Sequence, residues 1–156
     1  MPGTFFRTLK RAAVAMPMAA LALVAVAVPA SAHTLEEAVR SPSGCGWSSG
    51  GYDTLDSEPV TTGSGTRYGT VYLLWSSTYQ QNCVVTLKSS YHGTSTRTGA
   101  GLSIQDVGRY GDDGSYAHYA AVARDAAGRC VAYEGYIYSP GGTQAWGGRP
   151  SWGNCR

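Results

Sequence analysis

Four cysteines, Cys45, Cys83, Cys130 and Cys155, all lie downstream of an export leader, and no other feature constrains the fold as much. Outside the cell free thiols oxidise, so an even count of well-separated cysteines reads as a disulfide framework. The intervals between them are long and contain no Cys-x-x-Cys, which argues against a zinc site. Four cysteines allow three pairings, and sequence alone leaves the choice open. Sequential pairing, Cys45 with Cys83 and Cys130 with Cys155, is preferred because each bridge would then close one local substructure. In the chain-entropy account, loops of those lengths contribute about 3.5–4 kcal/mol each. That is comparable with the whole net stability of many domains.

The leader is read over residues 1–32. Arg7, Lys10 and Arg11 form a positive start, residues 12–28 are apolar throughout, and Pro29 precedes the small-residue site Ala30-Ser31-Ala32. This is the pattern of a signal peptide cut after Ala32. A membrane span needs about 20 apolar residues; this run is shorter and contains Pro17. No cysteine stands at the cut to carry a lipid, and no twin-arginine signal is present, so the expectation is export, with no membrane attachment after cleavage.

Removing the leader reverses the charge. Twelve Lys and Arg face ten Asp and Glu in the full chain; three of the twelve leave with the leader, so nine face ten and the net charge becomes −1. Lys88 is then the only lysine, and there is no basic cluster. Nucleic-acid binding needs such a cluster and is excluded. The 124 residues from His33 onward suit one domain with a real core, divided into a short lead-in over 33–44 and a single disulfide-tied domain over 45–156.

The lead-in carries a capping box, Thr34 with Glu37, for a helix too short to be stable alone. Beyond Pro42 the chain is rich in Gly, Ser, Thr and Tyr, which favours strands and turns. Strands are expected over 51–60, 70–75, 83–87, 101–110, 115–124 and 130–138, with a short last one over 143–146. The run 70–75, TVYLLW, suits a strand buried on both faces. Asp112-Asp113-Gly114 reads as a hairpin turn, 89–98 as a polar loop, and 147–156 as an irregular tail pinned by Cys155. The fold class expected is all-β, a small antiparallel meander closed as a sandwich or barrel and tied by two disulfides.

Several segments, Cys45-Gly46, residues 69–75, and Asn82-Cys83-Val84-Val85-Thr86-Leu87-Lys88, resemble the spore-associated protein A family of streptomycetes and related actinobacteria. Residues 113–120, Cys130-Val131 and Trp152-Gly153-Asn154-Cys155 fit it too, so the likeness spans most of the mature domain. The hairpin around residues 82–87 is its most specific part. The resemblance implies a secreted small β protein on or around spores and aerial hyphae, and it supplies no catalytic residue.

The residues themselves point to no reaction. Gly46-Trp47-Ser48-Ser49-Gly50 matches Gly-x-Ser-x-Gly, but that motif works on a strained strand-to-helix turn, and here no strand leads in and no helix follows. His33, His92 and His118 are dispersed, without His-x-His or His-x-x-x-His spacing, so no metal site is expected; nor is any cofactor. Among the acids, Glu134 is the best single candidate for glycan hydrolysis, a reaction that needs two facing carboxylates; Asp53, Asp56, Glu58 and Asp106 are the other acids weighed. The surplus of aromatics, eleven Tyr and four Trp, is more telling. Such rings pair an apolar face with a polar handle. Tyr72, Tyr133 and Trp75 suit cross-strand packing. Trp47, Trp146 and Trp152 sit in Gly-rich segments and are expected to be partly exposed; with Tyr136 and Tyr138 they form the candidate binding surface.

The reading is therefore a secreted, extracellular, non-enzymatic module that associates with the cell or spore envelope through aromatic contacts to wall or spore-surface glycan or to another surface protein. Two alternatives are a small secreted hydrolase of wall polymers and an exported protease inhibitor that presents the 89–98 loop.

Overall fold

A computed structural model describes residues 33–155; the leader expected over 1–32 lies outside the described residues. A six-residue helix α1, Leu35–Arg40, precedes eight strands: β1 Asp53–Thr61, β2 Arg67–Ser76, β3 Gln81–Lys88, β4 Thr96–Ile104, β5 Gly108–Tyr116, β6 Tyr119–Asp125, β7 Val131–Tyr138 and β8 Gln144–Gly153. They form one antiparallel sheet in the order β5-β4-β7-β8-β1-β2-β3-β6. The sheet curls until β5 and β6 face each other, giving a nearly closed all-β barrel. Among the described residues no helix is long and apolar enough to cross a membrane.

Period-two alternation sets what lies inside the barrel. Val71 and Leu73 of β2, Val84 of β3, Ala120 and Val122 of β6, Leu102 of β4 and Ile137 of β7 fill it, together with Val60, Val131 and Tyr133. The alternate residues Leu74, Cys83, Val85 and Ala121 are buried as well, on the outer face. The continuous apolar run of β2 follows: it faces two cores, one on each side of the sheet.

The second core exists because the amino-terminal segment covers β2, β3 and β6. Its helix has the capping box, with Thr34 Oγ1 accepting from Glu37 N (3.2 Å) and Thr34 N donating to Glu37 Oε2 (2.6 Å). Ala38 and Val39 are fully buried against the sheet, and this packing sustains a helix that would melt in water. The chain then folds back on α1: Cys45 N donates to Ala38 O and Trp47 N to Val39 O. Gly44 is required there, since a Cβ would lie 1.7 Å from Ala38 O. The bridge Cys45–Cys83 fastens this segment to β3, and Cys130–Cys155 ties the start of β7 to the end of β8; both are the preferred sequential pairs.

Three sequence expectations need correcting. Asp112-Asp113-Gly114 is no turn: it lies inside β5, where Asp113 pairs with Gly99 and Gly114 with Thr98. The turns fall instead at residues 105–107 and 117–118. A neighbouring strand gives these acids better partners than a turn would. Asp112 accepts from Tyr116 Oη (2.5 Å) and from Ala121 N (3.1 Å), which bridges the β5–β6 seam. Asp113 binds Arg97. The supposed 89–98 loop is shorter, because β4 begins at Thr96. The supposed irregular tail is mostly strand, since β8 runs to Gly153. Its glycines serve close packing: a Cβ on Gly147 or Gly148 would lie 2.4 Å from Pro59 O or Tyr133 O respectively.

Two outcomes follow from this architecture. Replacing both Cys45 and Cys83 by Ser should lower unfolding free energy by about 2–5 kcal/mol. It should also shift Trp fluorescence to the red as Trp47 is released, both readable in one urea titration. The seam also makes the protein alkali-sensitive. The hydrogen bond to Asp112, and then burial, push the Tyr116 phenol up to about 12, whereas an unfolded tyrosine titrates near about 10. The folded state therefore holds this proton more tightly, so stability is intact below pH 10 and falls as pH rises through 12. Phenolate absorbance and loss of ellipticity should appear together in that window. Tyr116→Phe should remove part of the pH slope and cost about 1 kcal/mol at neutral pH.

Candidate functional site

The outer face of the sheet divides in two. Over β2, β3 and β6 it is covered by the amino-terminal segment; over β5, β4, β7 and β8 it is open and aromatic. Direct cross-strand partners share a face, so the register lines up rows across it. One row runs Asp113, Gly99, Tyr136, Trp146, Thr61 across five strands. The next runs Gly111, Gly101, Glu134, Gly148. Glycines leave the backbone low, and the Tyr136 ring lies over Gly99, where a Cβ would meet it at 2.3 Å.

Around this glycine lane the side chains form a small polar and aromatic set. Tyr136 and Tyr138 are half-buried and meet edge to face at 6.1 Å, with the Arg97 guanidinium 5.8 and 5.4 Å from their ring centres. Arg97 also binds Asp113 through both carboxylate oxygens (2.8 and 3.2 Å) and holds its carboxyl below the usual carboxylate range. Glu134 pairs with Arg109 beside a shallow hollow of about 220 Å³ that reaches Pro150. Trp146 is 41% exposed and Trp152 51%. They stand six positions apart along β8, roughly 20 Å of strand at the usual rise.

Trp47 does not belong to this surface. It was expected to be partly exposed, but it is 1% exposed. The disulfide two residues before it presses the segment onto β3, where the indole stacks on Tyr79 (6.1 Å) and donates to Gln81 Oε1 (3.0 Å). The neighbouring Ser48 lies 3.4 Å from Tyr79 Oη, and the three histidines are gathered elsewhere. Glu134 and His118 belong to separate clusters, and Asp56 is bound by Arg149. The 89–95 loop is tethered from beneath by Lys88. That lysine is 3% exposed, and its ammonium donates to Thr94 O, Thr96 Oγ1 and Tyr116 O at 2.7–3.0 Å.

The histidines form the second site, and sequence spacing gave no sign of it. His33 precedes α1, His92 sits in the 89–95 loop, and His118 in the β5–β6 turn. The His33 and His118 rings stack at 3.8 Å, and His92 tilts against His118 at 4.5 Å. His33 N donates to His92 Nε2 at 3.0 Å, and His118 Nδ1 lies 3.2 Å from the same nitrogen. One ligand nitrogen from each ring falls within 4.8 Å of the others. Burial, and then the nearness of His33, hold the His92 and His118 imidazoles below the ordinary histidine range, so both are neutral near pH 7. His33, Ser41, Ser43, Tyr116, His118 and Tyr119 line a cleft of about 370 Å³ at this end of the barrel. Folding alone brings these positions together; the one hint in the sequence is that the expected leader cut falls immediately before His33.

Over 124 residues the chain is 36% identical to spore-associated protein A of Streptomyces coelicolor, covering 78% of this chain and 73% of that protein. No family model matches the chain, and no solved structure does.

Proposed function

The chain belongs to the spore-associated protein A family, and from that premise we propose that it is a secreted, non-enzymatic module of the spore or cell envelope, held there by the open aromatic face. What carries this reading is the contrast between the two halves of the sheet. One outer half is sealed by its own amino-terminal segment; the other leaves Trp146, Trp152, Tyr136 and Tyr138 at the surface. The Tyr136 ring over Gly99 and the exposed indoles of Trp146 and Trp152 offer apolar surface to the C–H faces of sugars. Asp113, Glu134 and Arg97 stand beside them as acceptors and donors for hydroxyl groups.

The occupant favoured is a wall or spore-surface glycan. The two tryptophans lie well apart on one strand, which suits an extended polymer better than a small ligand. The ion pairs already on the face neutralise its charge, which suits a largely uncharged chain. Two disulfides and the spore-associated relative agree with an extracellular or spore-associated place of work.

Co-sedimentation with purified cell walls or spore coats tests this. The wild-type protein should be retained, and Trp146→Ala and Tyr136→Ala should each weaken retention about tenfold in apparent affinity, the loss expected of an aromatic anchor. Val107→Ala, which alters an exposed apolar residue in the β4–β5 turn, should change nothing. Retention that survives protease treatment of the walls assigns the glycan, and retention lost by it assigns a protein partner. The reading fails if the wild type stays in solution or if the Trp146/Trp152 double variant binds unchanged.

A further inference from the structure

The histidine cluster is independent of the aromatic face, and its chemistry is different. Three imidazoles from three separate segments converge on one spot with no carboxylate or thiol in the group. His33 Nδ1 is buried there without any hydrogen-bond partner. A buried polar atom left unpaired is costly, and a purely structural stack of rings gives no reason for it. His92 Nε2, meanwhile, is approached by two other nitrogens, His33 N at 3.0 Å and His118 Nδ1 at 3.2 Å. Such spacings match neighbouring donors on one ion: metal–nitrogen bonds of about 2.0–2.1 Å put adjacent ligands roughly 2.9 Å apart in a square plane and 3.3 Å in a tetrahedron.

The leader adds the decisive element. A cut after Ala32 turns the backbone nitrogen of His33 from a peptide N–H into a free amine with a lone pair. That nitrogen already sits against His92 Nε2. The amine and Nδ1 of one histidine can close a six-membered chelate ring on a metal, which answers the unpaired Nδ1.

We propose that the mature amino terminus is a copper(II) site, in which the α-amino nitrogen and Nδ1 of His33 chelate the ion and His92 Nε2 and His118 Nδ1 complete an all-nitrogen donor set. Copper heads the divalent series for nitrogen donors, and tetragonal nitrogen sites are its usual geometry. The adjoining cleft, with Ser41, Ser43 and Tyr119 on its walls, leaves room for water or another exchangeable ligand on the ion. The Lys88 ammonium is turned into the barrel and holds three acceptors of its own. This inference rests on the expected cut before His33 and not on the aromatic face, so either can fail alone.

The experiment uses the full chain secreted through its own leader, recovered from the medium, stripped with chelator and titrated with copper(II) and, separately, zinc. Amino-terminal sequencing should read His-Thr-Leu. Copper should bind one per chain, tighter than about 1 μM, with an axial electron paramagnetic resonance spectrum showing coupling to several nitrogens. His92→Ala and His118→Ala should each weaken binding at least about tenfold, with circular dichroism checking that they fold. A further probe leaves the sequence intact. Because Lys88 is the only lysine of the mature chain and is buried, acetylation near neutral pH can be confined to the α-amine, and it should remove a nitrogen from the spectrum and weaken binding to a similar degree. A mature chain that begins elsewhere, copper binding indifferent to both histidine variants or to acetylation, or zinc binding as tight as copper would each overturn the assignment.

Discussion

The bridge between Cys45 and Cys83 is the contact on which most of the molecule's asymmetry depends. Cys83 points outward from β3, away from the barrel interior. Tying it to Cys45 draws the amino-terminal segment across β2, β3 and β6, lays Ala38 and Val39 onto Leu74 and Val85, and drops Trp47 onto Tyr79. Without that cover, a row of outward apolar residues would face water. A helix of six residues could not find its own place there. Burial of the outer row supplies apolar stabilisation, and the disulfide makes the segment that buries it inseparable from the sheet. The same tether runs α1 back toward the β5–β6 turn and so delivers His33 to His118.

The other half of the sheet shows what the protein leaves uncovered. Edge strand β5 is polar and paired with charges, as an unpaired edge must be to avoid association with other sheets. Gly99, Gly101, Gly111 and Gly148 leave a low floor between Arg97, Tyr136 and Glu134. Exposed ion pairs such as Arg97–Asp113 contribute little to stability. Their effect is on the character of the face, where they hold charges in place beside the rings and cancel them locally.

Legibility in the sequence followed the range of the forces involved. The apolar run of β2, the Cys83–Leu87 strand and the Thr34–Glu37 capping box could be read because alternation and capping are local. Sequential disulfide pairing was one of three open choices. The failures came where a distant partner outbid a local preference. Asp112 and Asp113 have turn chemistry, yet Tyr116, Ala121 and Arg97 take their carboxylates and keep the segment extended. Gly147 and Gly148 look like loop residues until β1 and β7 approach too closely for a side chain. Trp47 looks exposed until a disulfide two residues away buries it. The aromatic face was partly legible because Tyr136 and Tyr138, two apart on one strand, must share a side. The histidine cluster was not, because its members lie 59 and 26 residues apart and meet only through tertiary structure.

Lys88 joins these two regimes. An ammonium taken out of water is costly unless its hydrogen bonds are met, and this one is met by three oxygens with no carboxylate among them. Two of the three acceptors, Thr94 O and Thr96 Oγ1, fix the loop that carries His92, and the third, Tyr116 O, lies two residues before His118. Lys88 N also donates to His118 O. One buried side chain therefore sets the distance between the two segments that must hold their imidazoles together. Burial, and then the nearness of His33, disfavour protonation of His92 and His118, and the Lys88 charge adds only a smaller push in the same direction. The cluster's geometry thus depends on a residue that touches neither ring, while its neutrality comes mainly from burial.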